Sequence, residues 1–306
     1  MYNRCAIFIF LSVAAVAGES DSVPIRSGAH ATALTANEKP APDKSHYNLF
    51  HPTPRDQMRE MSTDRPDKTE SPYTVDAGHF QFEADVLSFS LDRENPERSD
   101  EQVKSYAIMP VNFKIGLTNR IDIQFVFETY NIVHTRGRNE DGIRTSEYQD
   151  GFGDITTRLK FNVIGNDGGK LALGIMPYIK IPTNQDHLGN GHVEGGVIVP
   201  VGYELPRGFS IYAMTQLDIV WDDDHNKYFQ QFVNTVTVGH KLIGNLDGYV
   251  EFFSAFNSRG TPWEGTVDAG LTYGATENIQ LDIGCNFGVT RAADDYNPFI
   301  GISIRY

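Results

Sequence analysis

Cysteine and long apolar runs are both scarce in this 306-residue chain, which has only two cysteines. No eighteen successive residues are apolar, the longest candidate being Cys5 to Ala17. A bundle of membrane-spanning helices is therefore excluded. Basic residues are also short, 26 against 40 acidic, for a formal net charge of −14. A general nucleic-acid binder needs a basic face to displace counterions, so no nucleic-acid partner is expected. The mean hydropathy of −0.35 leaves one membrane class open. In a β-barrel only alternate residues meet lipid, so the average stays polar.

Arg4 precedes the apolar stretch, which closes on Ala15-Val16-Ala17. That layout is expected of a signal peptide over residues 1–17, cleaved after Ala17; the alternative is a short buried helix. Cys5 lies too early to be a lipid-attachment cysteine. With the leader removed Cys285 stands alone, and no intrachain disulfide can form. An exported domain without such staples must rely on core packing or on a closed hydrogen-bond ladder.

Residues 18–72 hold seven of the fifteen prolines and little apolar periodicity. They are expected to form a largely disordered periplasmic segment, flexible to about residue 47. One short helix is expected over 54–61, or only a surface turn. Thr53 is placed to cap it, Pro54 fits its first position, and Met58 and Met61 share a face.

From His79 the period changes to two. Ile155, Thr157, Leu159, Phe161 and Val163 alternate with Thr156, Arg158, Lys160 and Asn162, and the pattern recurs to Tyr306. A helix would scatter such residues around its circumference, whereas a strand sets each group on one face. Twelve strands are predicted, over 80–91, 104–117, 121–133, 153–163, 170–182, 194–205, 209–220, 230–241, 246–256, 266–274, 279–289 and 298–306. The apolar phase slips at Val86 and Leu87, which predicts a bulge. Both phases of 230–240 carry apolar residues. Pro110, Pro177, Pro182 and Pro200 fall in or beside strands, where a closed ladder has no edge to accommodate a missing donor.

The connections alternate. Short ones such as Thr118-Asn119-Arg120 and Gly244-Asn245 follow the even-numbered strands. Longer charged or Gly-rich ones (92–103, 134–152, 183–193, 221–229, 257–265 and 290–297) follow the odd-numbered strands. An up-and-down barrel of the bacterial outer membrane has this asymmetry, with short periplasmic turns and longer outer loops. About ten residues at ~3.3 Å each, tilted ~45°, span its thin hydrocarbon layer. The expected fold is an all-β, transmembrane, antiparallel up-and-down β-barrel over residues 73–306, of about twelve strands, with both termini periplasmic. Its setting is outer-membrane lipid and lipopolysaccharide. The final segment places Ile300, Ile302, Ile304 and Tyr306 on one face. Such an aromatic-ended strand is expected to address the barrel-insertion machinery.

Three stretches carry a family resemblance. Thr63-Asp64-Arg65-Pro66-Asp67-Lys68-Thr69-Glu70-Ser71-Pro72 precedes the first strand, Gly151-Phe152-Gly153-Asp154 opens the fourth, and Lys180-Ile181-Pro182-Thr183 closes the fifth. Together they resemble the outer-membrane transporter family named for the meta-pathway of phenol degradation, over about residues 60–306. The resemblance implies an outer-membrane barrel that passes small, hydrophobic or aromatic solutes.

If the apolar phase faces lipid, the other phase lines a lumen. Its acids are then Glu83, Asp85, Asp122, Glu128, Asp154, Glu194, Asp218, Glu251 and Asp282, with Glu204, Asp247 and Asp268. Its bases are Lys114, Arg158, Lys160, Lys180 and Arg305. An unpaired desolvated ion costs several kcal/mol, so these groups must be paired or hydrated. Two readings stay open: an electrostatic filter against anions, or a salt-bridged plug. In either, Asp64, Arg65, Pro66, Asp67 and Glu70 are placed to enter the periplasmic mouth and meet Arg158 or Lys160. His187 and His192 beside Asp186, and the run Asp222-Asp223-Asp224, lie in loops without a rigid ligand frame, so no metal or cofactor is assigned. The rival classes are a barrel enzyme acting on lipid, with His240 as its base, and a soluble secreted β-sandwich. No G-x-S-x-G occurs, and no catalytic residue is assigned.

Overall fold

The computed structural model describes residues 43–306 other than 94, 99, 100, 140 and 224. The expected signal peptide, the 18–42 part of the leader segment and Asp224 lie outside the described residues. Fifteen strand segments follow in order: β1 (Phe80–Asp92), β2 (Gln102–Ile108), β3 (Val111–Thr118), β4 (Ile121–Phe127), β5 (Tyr130–Arg138), β6 (Arg144–Gly151), β7 (Ile155–Ile164), β8 (Leu171–Ile181), β9 (Glu194–Glu204), β10 (Phe209–Asp222), β11 (Lys227–Ile243), β12 (Leu246–Asn257), β13 (Glu264–Thr276), β14 (Ile279–Gly288) and β15 (Tyr296–Arg305).

All of them belong to one antiparallel sheet that closes through β1 and β15, with Gln81 opposite Arg305 and Leu91 opposite Tyr296. Three pairs (β2 with β3, β4 with β5, β6 with β7) are single staves interrupted once, so the barrel has twelve staves. The closed ring excludes the sandwich alternative.

Side-chain direction identifies the two faces. Val250 is 56% exposed while its neighbour Glu251 is 1% exposed. Ile175, Ile179, Val236 and Ile283 are exposed in the same way, whereas Lys114, Asp122, Lys160 and Thr237 are buried. A water-soluble monomer rarely exposes contiguous apolar patches beyond a few hundred Å², and a belt of this kind suits acyl chains.

The irregularities have local causes. Val86 is bulged out of the β1 register between Asp85 and Leu87. Opposite it, Met109 (φ 56°) and Pro110 interrupt the stave between β2 and β3. The Asp85 N–H donates to the Pro110 carbonyl at 3.2 Å, which bridges the two defects. Pro182 follows the end of β8. Pro177 stays mid-strand and faces outward, and the β7–β8 register passes from Arg158–Tyr178 to Phe161–Ile175 without a pairing at Pro177. The ladder opens where the donor is missing.

Three expectations are corrected. The helix over 54–61 is a single 3-10 turn, Arg55–Gln57, because Pro54 and Met58 both hold extended ψ angles and the Thr53 side chain forms no cap. Residues 61–72 of the segment expected to be disordered are packed: Thr63, Asp64, Asp67, Thr69 and Glu70 are at most 1% exposed. The length alternation is also not strict. β5, β6, β10 and β11 extend into residues read as loop, so the connections 139–143 and 223–226 are shorter than 165–170.

Candidate functional site

The described N-terminal segment enters the barrel from the end that carries the short turns. Asn48 bridges to Thr118, and Thr53 N–H donates to the Ala77 carbonyl at 2.9 Å. Residues 59–78 then form a hairpin, with one limb rising to the tip at 65–69 and the other returning to β1. Its base is clamped by charge. Arg59 donates to Asn119 Oδ1 at 2.6 Å, Asp167 Oδ1 at 3.0 Å and the Thr74 carbonyl at 3.0 Å. Lys44 lies 3.2 Å from Asp167 and 3.6 Å from Asp76. Burial raises the Asp167 carboxyl, but the Asn119 amide and the Arg59 guanidinium outweigh it and hold the group below the ordinary aspartate range. Arg305 braces the same base, donating to the Arg59 carbonyl at 2.7 Å and to Asn278 at 2.9 Å.

Inside the lumen the hairpin meets the wall on every side. Asp64 lies between the amines of Lys114 and Lys160, the latter at 2.5 Å, and also accepts the Ser71 N–H at 3.0 Å. Burial alone would raise its carboxyl, but Lys114 and Lys160 outweigh that and hold it below the ordinary range. Lys114 also reaches Glu83 at 2.5 Å, whose other oxygen accepts the Asp64 N–H at 3.0 Å. Arg65 donates to both oxygens of Asp282, at 3.1 and 2.8 Å, and lies 2.5 Å from Asp85. Lys68 lies 3.2 Å from Asp268 and 4.3 Å above the Phe253 ring, and its N–H donates to Glu251 at 2.8 Å. Thr69 donates to Glu251 at 2.6 Å. Glu70 is 2.7 Å from Arg158, Pro72 accepts from Asn162 at 2.8 Å, and Asp122 accepts the Val75 N–H at 3.0 Å.

The residues named from the sequence fall into three groups. Glu83, Asp85, Lys114, Asp122, Arg158, Lys160, Glu251 and Asp282 touch the hairpin, and Arg305 holds its base. Asp154, Lys180 and Glu194 cluster at the opposite end, with Lys180 at 2.5 Å from Glu194 and 3.7 Å from Asp154. Asp154 accepts from Thr183 and Asn184 of the β8–β9 connection at 3.1 Å each. Glu128 lies half-buried at the break between β4 and β5. Asp218 takes the Tyr178 hydroxyl and the Gln216 amide, the latter at 2.8 Å. His240, the candidate base, is bonded to the Gly208 carbonyl at 2.9 Å and stacked on Phe209, at the short-turn end.

Arg59 and Asp76 were not singled out from the sequence, though they flank the motif. The second omission is an apolar wall inside the lumen. Met176, Ile198, Met214, Val233, Phe253 and Ala255 cluster with Tyr178 on the inward phase of β8 to β12. Its signal was present at 230–240, within β11, where both phases carry apolar residues. Met214 Sδ accepts the Glu70 N–H at 3.4 Å, so this wall abuts the hairpin tip.

A family model described as "Putative MetA-pathway of phenol degradation" matches residues 63–306. No curated protein matches the chain. Among solved structures, the COG4313 outer membrane channel from Pseudomonas putida F1 is 14% identical, with a TM-score of 0.49 over 80% of this chain and 98% of that one. The NanC porin is 10% identical, with a TM-score of 0.44 over 72% and 98%. The Ralstonia pickettii toluene transporter TbuX is 9% identical, with a TM-score of 0.40 over 74% and 89%.

Proposed function

Because the chain belongs to the family of the MetA-pathway of phenol degradation, we propose that it is an outer-membrane channel for passive passage of a small hydrophobic or aromatic solute. In this reading the short turns and both chain ends face the periplasm. The observation that carries the proposal is the hairpin 59–78. The wall closes through its own ladder from β1 to β15, whereas the lumen is filled by a separate segment held largely by ion pairs and hydrogen bonds. Such a segment can shift without breaking the barrel, and the lumen then opens.

The lining supports the solute class. The apolar wall on β8 to β12 offers contact to an uncharged ring. The excess of buried carboxylates around the hairpin disfavours anions, so the electrostatic filter and the plug act together. The test compares the mature protein with a variant lacking residues 18–72 in planar bilayers. A higher single-channel conductance in the variant supports the proposal, and unchanged conductance overturns the gate. Liposome-swelling rates for phenol and toluene, each taken as the excess over protein-free liposomes, above the corresponding excess for a sugar of similar mass support the solute class. Equal rates overturn it.

A further inference from the structure

Beyond the breaks at Met109-Pro110, Glu128-Thr129 and 152–154, β2, β5 and β6 continue the same sheet beside the second half of β1, where Leu91 pairs with Lys104. Register fixes its outward face. Ile108 pairs with Tyr130, and Tyr106 with Ile132 and Asp150. The next tiers set Lys104 beside His134 and Tyr148, Gln102 beside Arg136 and Ser146, and Arg138 beside Arg144. An aromatic and aliphatic band thus gives way, on one face, to four cations and a histidine.

The inward face differs in charge. Val103 and Val133 pack there against Leu188 of the β8–β9 connection. Glu147, opposite Thr135, points the same way, and a Cβ at Gly137 would lie 2.2 Å from Glu101. Glu101 and Glu147 thus face inward, while Lys104, Arg136, Arg138 and Arg144 face outward. On the outward face Asp150 is engaged by the Tyr130 hydroxyl, and its N–H donates to Asp186 at 3.0 Å. Asp141 sits in the turn above. Arg138 donates to the Gly142 carbonyl at 2.8 Å, and Arg136 Nε contacts His134 at 3.3 Å. Among the described residues, no carboxylate lies in ion-pair distance of Lys104, Arg136, Arg138 or Arg144, whereas the lumen bases Lys114, Arg158, Lys160 and Lys180 are all paired.

From this face we infer a binding site for the phosphates of lipid A in the outer leaflet. The inference rests on the reading above, which turns this end outward. The tiers stand immediately beyond the aromatic band, at the depth where headgroups lie. Guanidinium groups match phosphate oxygens bidentately, and three of the four cations are arginine. The chain as a whole is acidic, so an uncompensated cationic face needs an anionic neighbour.

Native mass spectrometry of the mature protein in neutral detergent tests this with diphosphoryl lipid A, the same lipid stripped of phosphate, phosphatidylglycerol and inorganic phosphate. The wild type should retain diphosphoryl lipid A selectively. The variant K104Q/R136Q/R138Q/R144Q should bind it about 1,000-fold more weakly, from the contribution of each of the four cations near an anionic surface. Its gel migration without boiling should show an intact barrel, and R120Q/K170Q/R207Q at the other end should bind as the wild type does. Equal retention by the fourfold variant, equal binding of the stripped lipid or of phosphatidylglycerol, or competition by inorganic phosphate overturns the site. Labelling of Asp141→Cys by an impermeant maleimide on intact cells, in a Cys285→Ala background, reads orientation separately. Absent labelling overturns the orientation, whereas retention in detergent does not depend on it.

Discussion

Asp64→Asn is the most informative single change. The carboxylate is 0% exposed, lies between Lys114 and Lys160, and accepts the Ser71 N–H. Removing one member of a buried ion pair costs about 3–5 kcal/mol, because the remaining charge is left without compensation. The low end applies here. Lys114 keeps Glu83 at 2.5 Å, and an asparagine carbonyl still serves Ser71. At 1.4 kcal/mol per decade, a loss of about 3 kcal/mol shifts the docked-to-released ratio of the hairpin by roughly 100-fold. The barrel ladder does not pass through Asp64, so the change should appear as release of the hairpin and not as unfolding. The assay is open probability in planar bilayers, paired with protease cleavage within residues 59–78. Both should rise while migration without boiling stays that of a folded barrel. Arg93→Gln is the control, since its pair with Asp295 is 55% and 30% exposed and such surface pairs contribute about 0–1 kcal/mol. If D64N and R93Q behave alike, the ion pairs do not hold the gate.

Other perturbations separate wall from filling. Asp64 is held below its ordinary value of 3.8, so its contribution to docking is complete above that value and is lost as pH falls through the lower folded value. The difference in protease access between wild type and D64N should stay constant from neutral pH down to about 4 and shrink only below it; a difference that shrinks from pH 6 contradicts the assignment. Gly301→Val should loosen the tip, because a Cβ there would lie 2.2 Å from the Arg65 guanidinium, and increased open probability with an unchanged urea midpoint in vesicles is the expected readout. Val250→Arg, on the lipid face, should lower the unfolding free energy in vesicles by about 2–4 kcal/mol if the residue lies near the bilayer midplane. A neutral result there removes the membrane assignment of that face.

The barrel was legible because its alternation reports a physical boundary. Residues such as Val250 and Ile283 must tolerate acyl chains, and their neighbours must not, so period two persists wherever a stave crosses the layer. Where the layer ends, the signal ends. Arg136, Arg138 and Arg144 sit on β5 and β6 in good register, yet their polarity reads as loop because no apolar partner face is required there. The opposite failure hid Met176, Met214 and Phe253. Their inward direction is not marked by residue type once lipid is the assumed destination of every apolar side chain. The motif residues were legible as charges in need of partners, and Arg158 and Lys160 were named as their partners. The path of residues 59–78 was not, since prolines and polar residues in an extended segment look alike in solvent and in a polar lumen.

The point where the hairpin joins the wall is also the point where the ring shuts. Phe80 and Tyr306 exchange backbone hydrogen bonds, at 3.1 and 2.8 Å, and His79 reaches the Tyr306 carbonyl at 2.9 Å. Contents and container are therefore completed together. The segment made before any stave has its root clasped by the stave made after all the others, so a ring sealed by this clasp already carries its stopper at the mouth.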